Sequence, residues 1–224
     1  DCIAIKSGKL YMGKRLKKAS ENITIRNCIM KDGHGAVVFG SEMAGGVKNI
    51  HVSQCLFQET DRGLRIKTRR GRGQDAVIDG ITFETIRMDG VLTPFVINMF
   101  YYCDPDGKSE YVWSKKELPI DELTPYLGHF TFRNMICDNI EAAAGYFLGL
   151  PEQHIKEIDM ENISFTYKKD AKAHVPAMMS FSEKVSKVGI YAENVDVLKL
   201  KNVMMHGHNG EKIITKNVGI VKDS

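Results

Sequence analysis

The tightest constraint on this chain is a seven-residue frame that occurs six times. Asn22-Ile23-Thr24-Ile25-Arg26-Asn27-Cys28 overlays Asn49-Ile50-His51-Val52-Ser53-Gln54-Cys55 and Gly80-Ile81-Thr82-Phe83-Glu84-Thr85-Ile86. The frame returns at residues 129–135, 157–163 and 197–203. Positions two, four and seven are apolar in every copy. Alternation with period two inside each copy marks a strand with one buried face. A unit of one or two short strands with Gly-rich turns, repeated every 27 to 31 residues, cannot bury that face alone and must stack on its neighbours. The expected fold is all-β, a parallel β-helix solenoid, with residues 1–224 forming one domain. Leucine-rich repeats have a similar period, but their leucine ladder is missing, and no stretch reads as a long amphipathic helix.

Two breaks in the period locate excursions. Between the third and fourth copies the spacing grows to 49 residues, and the excess is crowded with turn formers and charges such as Asp104-Pro105-Asp106-Gly107-Lys108 and Leu118-Pro119. Residues 103–127 are therefore expected to project from one coil. A smaller excess around residues 168–172 and 182–184 predicts a second, solvated excursion.

Charge and cysteine content exclude several classes. Lys and Arg exceed Asp and Glu by only 31 to 28, too little to argue for a polyanionic partner. No apolar run approaches the roughly 18 residues of a membrane span, so no membrane association is expected. Arg62, Arg65, Lys67, Arg69, Arg70 and Arg72 fall within eleven residues with no acid between them, which reads as a local basic patch. No aromatic platform interleaves it, as single-strand nucleic-acid binders require, so no nucleic acid is expected. Five cysteines give no disulfide framework, and Cys28 and Cys55, in the same frame position, are expected as free thiols stacked in the core. The chain starts on Asp1 inside a strand motif without a capping element, and is expected to be the C-terminal part of a longer protein.

Three strings carry the chemistry: Asp1-Cys2-Ile3-Ala4-Ile5, Gly33-His34-Gly35 and Arg65-Ile66-Lys67. The intervals from Asp1 to His34 to Arg65 are 33 and 31 residues, close to the repeat, which predicts neighbouring positions on successive coils. Strands of a sheet lie about 4.8 Å apart, so the three would span about 10 Å. Alternation sends Leu64 and Ile66 inward and puts Arg65 and Lys67 together on the outer face. Two adjacent cations form a receptor for a carboxylate or phosphate, with Arg able to bind through two parallel hydrogen bonds. Taken alone, the pair reads as the solvated side of a strand, and its phase with His34 and Asp1 is what argues for a site. Flanking glycines would leave the His34 ring unshielded, where it could tune or orient a neighbouring carboxylate. Tyr101, one coil beyond Arg65, reads equally as a ligand contact or as a rung of an aromatic ladder, because Phe100 and Tyr102 flank it. His206-Gly207-His208 lacks Cys or acidic partners at ligand spacing and precedes an Asn-Gly turn, so it reads as a solvated loop.

These strings resemble motifs of glycoside hydrolase family 28, the polygalacturonases and their pectin-degrading relatives. That family carries Asn-Thr-Asp, a paired Asp-Asp, Gly-His-Gly and Arg-Ile-Lys in that order on a right-handed parallel β-helix. Gly33-His34-Gly35 and Arg65-Ile66-Lys67 are complete here, while the aspartate pair is represented by Asp1 alone. The resemblance implies that Asp1 helps activate the attacking water and that His34 supports the geometry and protonation of the acid. It implies that Arg65 and Lys67, with Tyr101 near a substrate-contacting tyrosine, hold a galacturonate at the cleavage site. It further implies hydrolysis of α-1,4-galacturonosyl linkages in pectin with inversion, no cofactor and no metal. The preceding aspartate, the family's general acid, and the Asn-Thr-Asp carboxylate would lie upstream of Asp1, so the 224-residue chain alone is expected to be inactive. A pair of cations favours galacturonate over rhamnose, action from a chain end is favoured over internal cleavage, and a monomer is expected. A secreted or periplasmic location is implied by the resemblance only. The competing readings are a carbohydrate-binding β-helix without catalysis and another uronate enzyme on the same fold, a lyase or epimerase.

Overall fold

The six frames stack residue on residue. Ile23 pairs with Ile50, Ile50 with Ile81, Ile81 with Phe130, Phe130 with Ile158 and Ile158 with Leu198, all in parallel ladders. The computed structural model describes residues 1–224 and is a parallel β-helix. Its helices are short pieces at Leu10–Leu16 and Glu110–Trp113, with a 3₁₀ turn at Asp106–Lys108. No helix is long and apolar enough to cross a membrane.

One backbone feature of the frame turns each strand through a corner. The sixth residue of every copy, Asn27, Gln54, Thr85, Asn134, Asn162 or Asn202, has a left-handed φ of 52° to 56°. A single left-handed residue bends the strand so that residue seven again faces inward. Asn tolerates this region best among residues with a side chain, and it fills four of the six corners. Its amides also ladder between coils: Asn162 Nδ2 donates to Asn134 Oδ1 at 3.1 Å, and Asn202 Nδ2 to Asn162 Oδ1 at 2.9 Å. Thr85, a β-branched residue in this conformation, shows stacking overriding local preference.

Inside the coil the frame residues merge into one apolar column. Phe57, Phe83, Phe132, Phe95 and Phe165 form a continuous run of rings, with centroid separations of 6.5, 6.1, 4.4 and 6.1 Å. Each such burial contributes about 1.5–3 kcal/mol, and the column holds the coils at fixed register. Cys55 and Cys137 are buried and Cys28 is half-buried; all five cysteines are free thiols.

A second set of strands, Ile3–Ile5, Val37–Gly40, Arg62–Lys67, Thr93–Asn98, Ala143–Leu148 and the start of Val188–His206, makes the sheet that carries the candidate site. Its register corrects the equal-phase expectation. Ile3 pairs with Val37 and Val37 with Leu64, which are offsets of 34 and then 27 residues rather than 33 and 31. Arg65 is therefore in line with Val38 and Ala4, whereas His34 is in line with Asp61.

The two excursions meet. Residues 103–127 leave the site sheet after Thr93–Asn98 and return at Tyr126–Leu127, which pairs with Val77–Ile78. The second excursion is not simply solvated: Pro176 and Ala177 are buried, and Met179 bridges Tyr101 in antiparallel fashion. Asn98 Nδ2 and the Tyr102 amide both donate to the Met178 carbonyl, at 3.0 and 3.4 Å. Residues 175–179 thus form a wall across the sheet beside Arg65.

The Arg-rich stretch is not a surface patch either, and backbone carbonyls of the two excursions explain why. Arg70, buried, donates to the carbonyls of Tyr111, Ser114 and Lys116 at 3.0, 2.7 and 3.0 Å and forms a two-point pair with Glu152 at 2.6 and 2.8 Å. Arg69 holds the Cys103 carbonyl at 2.7 Å and Asp106 at 2.6 Å. Arg62 holds the carbonyls of Val175 and Pro176, and Arg72 is buried. These guanidiniums carry enough donors to satisfy loop carbonyls that no sheet reaches.

Candidate active site

Asp1, His34, Arg65, Lys67 and Tyr101 line one cavity of about 400 Å³, together with Asp61, Arg62 and Met178. Their convergence comes from side-chain reach rather than equal phase. Arg65 extends back along the sheet, so that Nη1 donates to the His34 carbonyl at 3.3 Å and lies 3.6 Å from Asp1 Oδ1. Lys67 Nζ meets Asp1 Oδ2 at 2.8 Å. Both cations flank one carboxylate. The Tyr101 ring lies under them, its centroid 6.0 Å from the Arg65 guanidinium carbon and 5.8 Å from Lys67 Nζ, within range of cation–π attraction. Tyr101 lines the cavity, while Phe100 belongs to the core.

The glycines around His34 answer to space. A Cβ on Gly33 would stand 2.6 Å from Cys2 Sγ, and one on Gly35 would stand 2.5 Å from Val38 Cγ2 and 3.4 Å from Arg65 Cβ. Removing both side chains lets the neighbouring coil and Arg65 close up beneath the histidine. The His34 side chain itself is 80% exposed, and its Nδ1 is 2.8 Å from Asp61 Oδ2. With Nδ1–H donating to that carboxylate, Nε2 is the nitrogen presented to a ligand.

Asp61 is the site residue that sequence reading missed. The signal was the 27-residue offset between the first and second frames: adding it to His34 lands on Asp61, and the Asp61 amide donates to the Gly33 carbonyl at 2.9 Å. Met178, whose Sδ lies 3.6 Å from Arg65 Nη2, had no such signal, because it arrives from the aperiodic excursion.

Burial sets the electrostatics. Desolvation, then repulsion from Arg65, pushes Lys67 down to about 8, while the Asp1 carboxylate 2.8 Å away acts in the opposite direction. Burial also lowers Arg65 and, with Arg65 nearby, takes Arg62 to about 10. Crowded, partly dehydrated cations of this kind gain most from an added anion. No group of three or more His, Cys, Asp or Glu side chains is placed to hold a metal ion. His206 is exposed and His208 half-buried, with no such cluster around them.

Residues 1–188 match the family model of glycosyl hydrolases family 28. The chain belongs to that family. Among curated relatives, a probable polygalacturonase from Vitis vinifera is 26% identical over 77% of this chain and 33% of its own length. An exo-poly-alpha-D-galacturonosidase from Dickeya chrysanthemi is 31% identical over 46% of this chain and 17% of its own. The fold resembles the crystal structure of a hyperthermoactive exopolygalacturonase from Thermotoga maritima, with a TM-score of 0.67, 24% identity, and coverage of 94% of this chain and 40% of that one. The chain thus spans a minor part of the length of each family relative named.

Proposed function

We propose that this chain contributes the substrate-binding half of a polygalacturonase site, hydrolysing α-1,4-galacturonosyl linkages with inversion and working from a chain end. The observation that carries the reading is the convergence of Arg65 and Lys67 on one carboxylate, Asp1, in a cavity floored by Tyr101. A galacturonate ring brings a carboxylate of its own, and two half-dehydrated cations beside an aromatic face suit a sugar acid better than a neutral sugar. Each charge-assisted hydrogen bond contributes about 1.5–3 kcal/mol.

In this reading Asp1 is the carboxylate that polarises water, and Lys67 and Arg65 hold it in place. His34, steadied by Asp61 through Nδ1, offers Nε2 toward the leaving oxygen and the acid that protonates it. An inverting pair of carboxyls stands roughly 6.5–9.5 Å apart, with the water between them. Chain-end action is supported by the wall at residues 175–179, which crosses the sheet next to Arg65, and by the names of the Dickeya and Thermotoga relatives.

Two measurements test the proposal. Calorimetric titration of this chain with trigalacturonate should show binding that Arg65→Ala and Lys67→Ala each weaken roughly tenfold or more, whereas neutral galactose oligomers should not bind. In the full-length protein, proton NMR of a polygalacturonate digest should show β-anomeric reducing ends first and monomer as the main early product. Early α-anomers would refute inversion, and a broad early ladder of oligomers would refute chain-end action. A ligand preference unchanged by Arg65→Ala and Lys67→Ala would refute the site assignment.

A further inference from the structure

On the far side of the Tyr101–Met179 bridge the two excursions expose a second aromatic and cationic surface. Trp113, from the first, and Phe181, from the second, meet edge to face with centroids 5.4 Å apart. Phe181 is 83% exposed and has a φ of +61°, an unfavourable conformation for a bulky residue. Its contact with Trp113 leaves most of the ring in water, and an exposed pair of aromatics of this kind marks a contact surface.

Cavities open on both sides of this ring pair. One, about 460 Å³, lies between Tyr102, Lys108, Trp113 and Phe181. The other, about 580 Å³, lies between Trp113, Phe181, Lys115 and Lys116, with Glu110 at its edge. Lys108 Nζ is 5.7 Å from the centroid of the Tyr102 ring. Lys115 turns its Nζ inward, 3.3 Å from the centroid of the buried Phe100 ring, which leaves Lys108 and Lys116 against one glutamate and the surface with a positive balance. It also adjoins the catalytic cavity: Tyr101 and Met178 line that one, and their chain neighbours Tyr102 and Met179 line this one.

We infer that the Trp113–Phe181 pair with Lys108 and Lys116 is a second binding site, separate from the Arg65 cavity, for an acidic oligosaccharide. Flat aromatic faces accept the C–H face of a sugar ring at small entropic cost, and the lysines pair with its carboxylates. The choice of a uronate chain as occupant rests on the proposed function, and charge complementarity supports it. A chain held here would keep polymer close to the cavity between catalytic events, raising its local concentration there.

Trp113 is the only tryptophan in the chain, so intrinsic fluorescence reports this surface directly. Titration of the chain with hexagalacturonate should give a saturable change in Trp113 emission that persists in Arg65→Ala. Phe181→Gly, which suits the positive φ, and a Lys108→Ala/Lys116→Ala pair should each weaken that response roughly tenfold or more, with far-UV circular dichroism unchanged. No emission change while calorimetry still records binding lost in Arg65→Ala would overturn the second site and leave the proposed function standing. Loss of the response in Arg65→Ala but not in Phe181→Gly would show an indirect effect and also overturn it. An equal response to neutral galactose oligomers would overturn the acidic class. Concentration-dependent dimerisation in light scattering that disappears in Phe181→Gly would reassign the surface to self-association. Absence of binding in both calorimetry and fluorescence would overturn both readings.

Discussion

Replacing Arg70 by methionine should destabilise the protein more than any change on the solvated faces of the coil. The side chains of Arg70 and Glu152 are 1% and 2% exposed, so the substitution strands a carboxylate in the interior. Breaking a buried ion pair from one side costs about 3–5 kcal/mol. Of the three released carbonyls, those of Tyr111 and Lys116 belong to exposed residues and can turn to water, whereas Ser114 is buried and its unpaired carbonyl adds about 1 kcal/mol or more. Against a total stability of about 5–15 kcal/mol, and with a urea slope of roughly 1–3 kcal/mol per molar, the midpoint should fall by on the order of 1–3 M. Glu152→Leu should cost a similar amount. The double variant Arg70→Met/Glu152→Leu should recover most of the loss, because an apolar pair of similar volume replaces a buried ion pair at little cost. Urea denaturation followed by circular dichroism and by Trp113 emission closes the cycle, and Trp113 lies in the segment that Arg70 pins. Single variants within about 1 kcal/mol of the parent, or a double variant no better than the singles, would refute the assignment of this pair as the post that holds residues 110–116.

Three further outcomes follow from the site and the corners. A lysine is charged below its pKa, so with Lys67 near 8 affinity for trigalacturonate should be full near neutral pH, where the ligand's carboxylates are ionised, and fall as pH rises through about 8; Lys67→Arg should move that fall to higher pH in calorimetric titrations. Asp61→Asn should leave binding nearly intact while lowering kcat of the full-length protein roughly tenfold to a hundredfold, as a misoriented His34 does; steady-state kinetics showing a change in KM alone would contradict the positioning role. Asn162→Ala should lower stability by about 1–3 kcal/mol, through left-handed strain and loss of the amide ladder, and Asn162→Gly, which accepts the φ, should cost less in thermal melts.

The frame residues were legible because their chemistry is repetitive: a strand with one buried face writes apolar residues at every second position, and stacking repeats the message. Ile50, Ile81 and Phe130 therefore announced both the strand and its partners. The phase of the site was misread because Asp1, His34 and Arg65 sit at different points along their coils, and equal spacing in sequence concealed offsets of 34 and 27. Asp61 was lost with it. The fate of the arginines was also hidden, because a guanidinium in solvent and one donating to a loop carbonyl look the same in sequence. Pro176 and Met178 come from a segment with no period, so nothing local said that they would lie against Arg62 and Arg65.

The wall at residues 175–179 separates two kinds of change that this molecule can undergo. Deleting one residue from a strand such as Arg62–Lys67 would send every side chain beyond it to the opposite face, exchanging Arg65 with its buried neighbours and destroying the coil. Adding or removing residues within 168–187 leaves all strand pairings intact, and the entropy of closing a loop changes slowly with its length. Cavity length is thereby uncoupled from the load-carrying ladder. Editing a strap anchored at Arg62 and Asn98 reshapes the cavity, while Arg65 and Lys67 stay where the sheet puts them.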